Sequence, residues 1–102
     1  MQNSNNFRVP ISYNAIRADS EALGFDMPSE ASVGALLRML AASKPFANCL
    51  ELGTGTGLAA CWLLEGLGVH GHLTTVDSDE QLLSVARQHL SNDARLSHNS
   101  VQ

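Results

Sequence analysis

This 102-residue chain has little of several things that would have settled its class at once. Aromatic residues are 5% of it, and its six basic residues, Arg8, Arg17, Arg38, Lys44, Arg87 and Arg95, are scattered. No stripe of positive charge can neutralise phosphates in series, and the net charge of -4 points the same way, so no nucleic-acid partner is expected. There are only two cysteines, Cys49 and Cys61, with neither CxxC spacing nor a nearby histidine pattern. They read as buried reduced thiols, not as a disulfide or a metal site, and no metal is expected. No apolar run reaches membrane-spanning length, and Met1-Gln2-Asn3-Ser4-Asn5-Asn6 lacks the basic start and apolar core of a signal peptide. A cytoplasmic location without a membrane partner is the expectation. There is no internal repeat and no low-complexity linker, and the length allows one small domain or a piece of a larger one.

What is present is a regular alternation of helical and strand patterns. Ile11 to Leu23 reads as an amphipathic helix with Ile11, Ala15, Ala18 and Ala22 on one stripe, stopped by Gly24. After a connector, Phe25-Asp26-Met27-Pro28, Ser29 is placed to cap a second helix, whose apolar face is Val33, Leu36, Leu37, Leu40 and Ala41. Lys44-Pro45 ends it. A third helix from Leu58 carries Ala60, Leu63, Leu64 and Leu67 and closes in the stretch Gly66 to Gly71. Ser78-Asp79-Glu80-Gln81 forms a capping box for a fourth, with Leu82, Leu83, Ala86 and Leu90 inward. Strands are predicted at Cys49 to Leu52 and at His72-Leu73-Thr74-Thr75-Val76-Asp77, so the chain is α/β with a parallel sheet. The bounds are a helical segment over 11–44 and a βαβα core over 48–90 within a single partial domain, 1–102.

Leu50-Glu51-Leu52-Gly53-Thr54-Gly55-Thr56-Gly57 carries the most chemistry. Its alternating apolar start suits a buried strand, and a helical pattern begins directly after the last glycine, so the glycines fill a strand-to-helix turn. Glycines there let backbone approach a ligand closely, and free N–H groups at the start of a helix seat a carboxylate or phosphate. Asp77 ends the next strand 20 residues beyond Gly57, the spacing that brings an acid beside a ribose.

Cys49 to Leu90 resembles motif I and the following acidic strand end of class I S-adenosylmethionine-dependent methyltransferases, most closely their small O-methyltransferase-like branch. The resemblance implies a Rossmann-like, doubly wound parallel sheet with S-adenosylmethionine as cofactor and a small-molecule methyl acceptor. It lays the methionine part across Gly53, Gly55 and Gly57, gives the ammonium to Glu51 and gives the ribose hydroxyls to Asp77. Thr54 and Thr56 either add hydroxyl contacts or merely suit the turn. Met27 and Ser29, with Pro28, fall where similar enzymes bring a segment over the cofactor's methionine end, although packing and helix capping account for them equally well. A complete sheet of this kind takes on the order of 150 to 250 residues. The polar tail, Ser91 to Gln102, predicts no third strand, so the fold is expected to be truncated after the second βα unit, with the unpaired edge of Cys49 to Leu52 open to homo-oligomer formation.

Gly55-Thr56-Gly57-Leu58-Ala59-Ala60 also satisfies a dinucleotide fingerprint, with Asp77 again downstream. In that register Glu51 would approach a pyrophosphate, a like-charge contact, whereas an ammonium favours it. Besides a nicotinamide- or flavin-binding oxidoreductase domain, a non-catalytic binding module and a truncated product stay open. Asp79 and Glu80 suit a helix dipole, Trp62 a core, and His70, His72, His89 and His98 a surface. The sequence assigns no catalytic base, and no nucleophile–base pair supports hydrolysis.

Overall fold

A computed structural model of the chain describes residues 8–24 and 31–100. The elements run α1 (Tyr13–Ala22), α2 (Ala31–Ala42), β1 (Asn48–Leu52), α3 (Leu58–Gly66), β2 (His72–Asp77), α4 (Glu80–Leu90) and β3 (Leu96–Ser100). The three strands form one parallel sheet in the order β1-β2-β3. Cys49 pairs with Leu73, Glu51 with Thr75, and Thr75 in turn with His98. Because side chains alternate along a strand, these residues share one face. That face is the covered one: Leu73 and Thr75 are fully buried, and Cys49 and Leu96 pack against the core. The helices α3 and α4 lie over it, with α1 and α2 packed onto them.

β3 is the first departure from the sequence reading. Leu96-Ser97-His98-Asn99-Ser100 has too few branched or aromatic residues to announce a strand, but the free edge of β2 supplies its ladder. The sheet therefore continues one strand past the expected βαβα core.

The helix faces differ as well. In α1 the buried residues are Tyr13, Ile16 and Ser20, while Ala15, Ala18 and Ala22, and Ile11 in the turn before the helix, are exposed. An aliphatic-only stripe missed Tyr13, which meets Trp62 edge-on at 5.7 Å, and Ser20, whose hydroxyl reaches Ile16 O at 2.7 Å. In α2, Ala41 is buried and Leu37 half-buried as expected, but Val33, Leu36 and Leu40 are 47%, 51% and 57% exposed. The α2–α3 contact is made by missing side chains instead. A Cβ on Gly34 would collide with the Trp62 indole, and one on Gly66 with the Arg38 carbonyl. Close backbone approach leaves the larger residues of α2 outside. Arg38 lies over the Trp62 ring at 4.8 Å and pairs with Glu65.

The start of α4 is also corrected. Asp79 is the cap, its carboxylate accepting the N–H of Gln81 at 3.0 Å and of Leu82 at 3.2 Å, so the cap falls one residue after Ser78, and the expected box is not formed because the Asp79 N–H goes to Asp77. Leu83, Ala86 and Leu90 point inward as expected, Val85 joins them, and Leu82 is half-buried.

Candidate functional site

The carboxyl ends of β1 and β2 meet at the glycine turn. Gly53, Gly55 and Gly57 have φ of 91°, 54° and 97°, a left-handed backbone that side chains other than glycine's rarely adopt. Val76 O, one residue from the end of β2, accepts the N–H of Gly53 at 2.7 Å and of Thr54 at 3.1 Å, which anchors the start of the turn to the sheet. The Gly57 N–H closes it onto Thr54 O at 3.1 Å, and α3 starts there.

The glycines serve different needs. A Cβ on Gly53 would meet nothing within 4 Å, so this position is open as well as left-handed. One on Gly57 would stand 3.0 Å from Leu90 and 3.1 Å from Ala86, so the third glycine lets α4 approach the turn rather than giving a ligand room. Gly55 sits between them, and its N–H donates to Asp77 Oδ2 at 2.7 Å.

Asp77 thus bridges two loops, since its Oδ1 accepts the Asp79 N–H at 2.9 Å. Partial burial alone would raise its pKa, but the N–H groups of Asp79, Gly55 and Ser78 outweigh that and hold the carboxyl below the ordinary aspartate value. Glu51 moves the other way. Burial and, to a smaller degree, the nearby Asp77 charge push it up to about 6, against the lowering effect of a hydrogen bond from Thr75 Oγ1 to Glu51 Oε1 at 2.6 Å.

Thr54 and Thr56 are 4% and 1% exposed. Their hydroxyls are engaged inside the protein, Thr54 with Thr75 at 2.6 Å and Thr56 with Ser20 at 2.6 Å. Ser20 and Thr75 are polar residues at the turn that the sequence reading left out. Only the tertiary fold, and for Thr75 the β1–β2 register, puts them there. Met27, Pro28 and Ser29 lie outside the described residues.

The histidines are less superficial than expected. His70 is exposed and stacks on Phe46 at 6.2 Å, but His72 is the first residue of β2 and bonds Ser97 at 3.1 Å. His89 Nε2 meets Asp19 Oδ2 at 2.6 Å, and both ring nitrogens of His98 are buried without a hydrogen-bond partner among the described residues. Cys49 and Cys61 are free thiols, and burial pushes Cys61 up to about 12.

No family model matches the chain. A Mycobacterium sp. (strain KMS) protein with a provisional O-methyltransferase name is 38% identical over 81 residues, 76% of this chain and 37% of its own length. The chain spans between 25% and 38% of the length of the curated relatives it matches. Among solved structures, TomG of Streptomyces achromogenes, an O-methyltransferase of tomaymycin synthesis in complex with S-adenosylmethionine, superposes with a TM-score of 0.84 at 20% identity, over 95% of this chain and 45% of that one. An O-methyltransferase of Bacillus cereus in complex with S-adenosylhomocysteine gives 0.83 at 20% identity, over 94% and 46%. At that identity the two structures speak for the fold, and the curated relative speaks for the sequence. Together with the glycine turn held between two strand-end carboxylates, they place the chain in the class I O-methyltransferase-like family.

Proposed function

We propose that this chain binds S-adenosylmethionine as the cofactor-binding part of an O-methyltransferase that modifies a small-molecule acceptor in the cytoplasm. The observation that carries this reading is that Glu51 and Asp77 stand near the carboxyl ends of adjacent parallel strands, with an open, left-handed glycine turn between them. When bound, the cofactor supplies the methyl group on a sulfonium, and the protein's part is to hold and orient it. Glu51 presents a carboxylate to the ammonium of the methionine end. A pyrophosphate on the turn would meet the Glu51 carboxylate, a like-charge contact that disfavours a dinucleotide. Asp77, ionised and fixed by three backbone N–H groups, keeps lone pairs for the ribose hydroxyls. Gly53 and Gly55 give the cofactor backbone contact without side chains. Thr54, Thr56 and Gly57 maintain the turn from within. Met27 and Ser29 are assigned to the methionine end, ahead of α2.

None of the described helices is long and apolar enough to cross a membrane. β1 is paired on one side only among the described residues, and this edge is the place for homo-oligomer contact. Isothermal titration of the chain with S-adenosylhomocysteine and, separately, with NAD tests the assignment. S-adenosylhomocysteine is expected to bind and NAD not to. Uptake of NAD alone would transfer the site to the dinucleotide reading.

A further inference from the structure

Thr75 is fully buried and, among the described residues, is the side chain that hydrogen-bonds Glu51. Its hydroxyl lies 2.6 Å from Glu51 Oε1 and 2.6 Å from the Thr54 hydroxyl. A threonine hydroxyl has a single proton to donate. Facing a carboxylate, which only accepts, that proton goes to Glu51, so the proton between the two threonines must come from Thr54. The result is a one-way chain, Thr54 to Thr75 to Glu51, running from inside the glycine turn to the acid at the end of β1. Oε1 is thereby fixed from beneath, and Oε2 has no hydrogen bond to protein among the described residues.

We infer that Thr75 is a positioning residue for the cofactor's amino-acid end: it holds the Glu51 carboxylate in one orientation, ready for an ammonium, and ties that orientation to the shape of the glycine turn through Thr54. This rests on the proposed cofactor. The geometry gives it a selective consequence. Thr75 acts only through Glu51 and Thr54, while Asp77 is held by the N–H groups of Gly55, Ser78 and Asp79. Loss of the Thr75 hydroxyl should weaken recognition of the amino-acid end and leave the nucleoside end alone. The β1–β2 register that pairs Glu51 with Thr75 creates the contact.

Thr75→Val keeps the branched shape that suits a strand and removes the hydroxyl. The test compares two ligands by titration: S-adenosylhomocysteine, and 5′-methylthioadenosine, which has no amino-acid portion. Thr75→Val should lower affinity for S-adenosylhomocysteine by about tenfold, the scale set by losing a hydrogen bond to a charged group, and leave methylthioadenosine affinity within about twofold. Thr75→Ser, which keeps the hydroxyl, should restore S-adenosylhomocysteine binding. The acid limit of S-adenosylhomocysteine binding should also move to higher pH in Thr75→Val, because the hydroxyl favours the ionised form of Glu51. The other ionisable groups acting on or near Glu51 are Asp77, whose charge opposes ionisation, and the Cys61 thiol, and both are unchanged in the variant.

Equal losses for both ligands would reduce Thr75 to a general structural role and overturn the inference, as would Thr75→Ser behaving like Thr75→Val. Should Thr75→Val fail to fold, Thr54→Val removes the upstream donor and must show the same selectivity between ligands, to a smaller degree. The two readings fail differently. Wild-type protein that does not bind S-adenosylhomocysteine overturns the cofactor assignment and this inference with it, whereas wild-type binding that survives Thr75→Val unaltered overturns this inference alone.

Discussion

The two faces of the sheet come from the same strands and have opposite fates. On the helix side, Leu73 and Thr75 are fully buried and the row Glu51–Thr75 carries the hydrogen bonds that shape the site. On the other, Leu50 and Leu52 of β1 are 65% and 78% exposed, and no described helix covers them. In β1, therefore, the acid Glu51 lies on the sheltered face and the two leucines lie outside. Chemistry is concentrated where strand ends, turn and helices converge, and association potential where the apolar face is bare. A doubly wound sheet is covered on both faces. The relatives that this chain matches are longer, and it spans 25% to 38% of their length.

The strongest way to break this contrast is to damage the helix side. Trp62 is fully buried, braced by Tyr13, Arg38 and the surface of Gly34. Trp62→Ala should cost about 3 to 5 kcal/mol, the range for emptying a large aromatic site, measured by urea denaturation. Against a total stability of about 5 to 15 kcal/mol that is a large share. A loss below about 1 kcal/mol would mean that α1, α2 and α3 are not held together through this residue.

A smaller effect separates stability from ligand binding at Glu51. Its carboxyl titrates at about 6 in the fold against an ordinary 4.5. A raised folded value means that Glu51's contribution to stability is full below about 4.5 and is lost as the pH rises through 6. The ligand-free chain should gain up to about 2 kcal/mol from this group on acidification across that window, less whatever solvent screening removes. S-adenosylhomocysteine binding should run the opposite way and weaken below pH 6, because the ammonium requires the ionised form. Other groups contribute. His98, lowered first by burial and then by Arg87, loses stability as the pH falls through its unfolded value, and Asp77 and Asp93 lose theirs at still lower pH. The difference between wild type and Glu51→Gln in pH-dependent denaturation isolates the Glu51 part. A difference that is flat between pH 4.5 and 6 would remove the raised titration.

Which parts of this were legible in the sequence follows from the range of the interactions. The glycine turn, Asp77 and the order of helices and strands are local patterns, and they could be read because spacing along one segment determines them. The Glu51–Thr75 contact needs the strand register, and the Ser20–Thr56 contact needs α1 brought against the turn, so neither has a local signature. The α2–α3 packing is made at Gly34 and Gly66, where the informative feature is an absent side chain and a hydrophobic count points to the wrong face. β3 was missed for a related reason, since its stability comes from β2 and not from its own composition. At the start of α4, Ser78 and Asp79 are both good caps, and Asp77's hold on the Asp79 N–H favours the second.

The smallest expected change in stability tests the bare face. Leu52→Lys places a charge where the native side chain is already 78% exposed, so it should alter stability by no more than about 0.5 kcal/mol, the usual limit for a surface substitution. Its effect on association should be larger than that. Leu50 and Leu52 adjoin the edge of β1 that carries no strand among the described residues, and an unpaired parallel edge beside apolar side chains is a template for a second strand. Wild-type chain should show an apparent mass that rises with concentration in size-exclusion chromatography with light scattering, and Leu52→Lys should shift it toward monomer, since lysine on an edge strand disfavours pairing. The two measurements together decide the matter. If Leu52→Lys destabilises the chain by several times the surface limit and also dissociates it, the open face is part of a core shared between copies, and the contrast between the two faces disappears on assembly. If the wild type is monomeric at every concentration, the leucines are tolerated as bare surface and the edge does not recruit a partner copy.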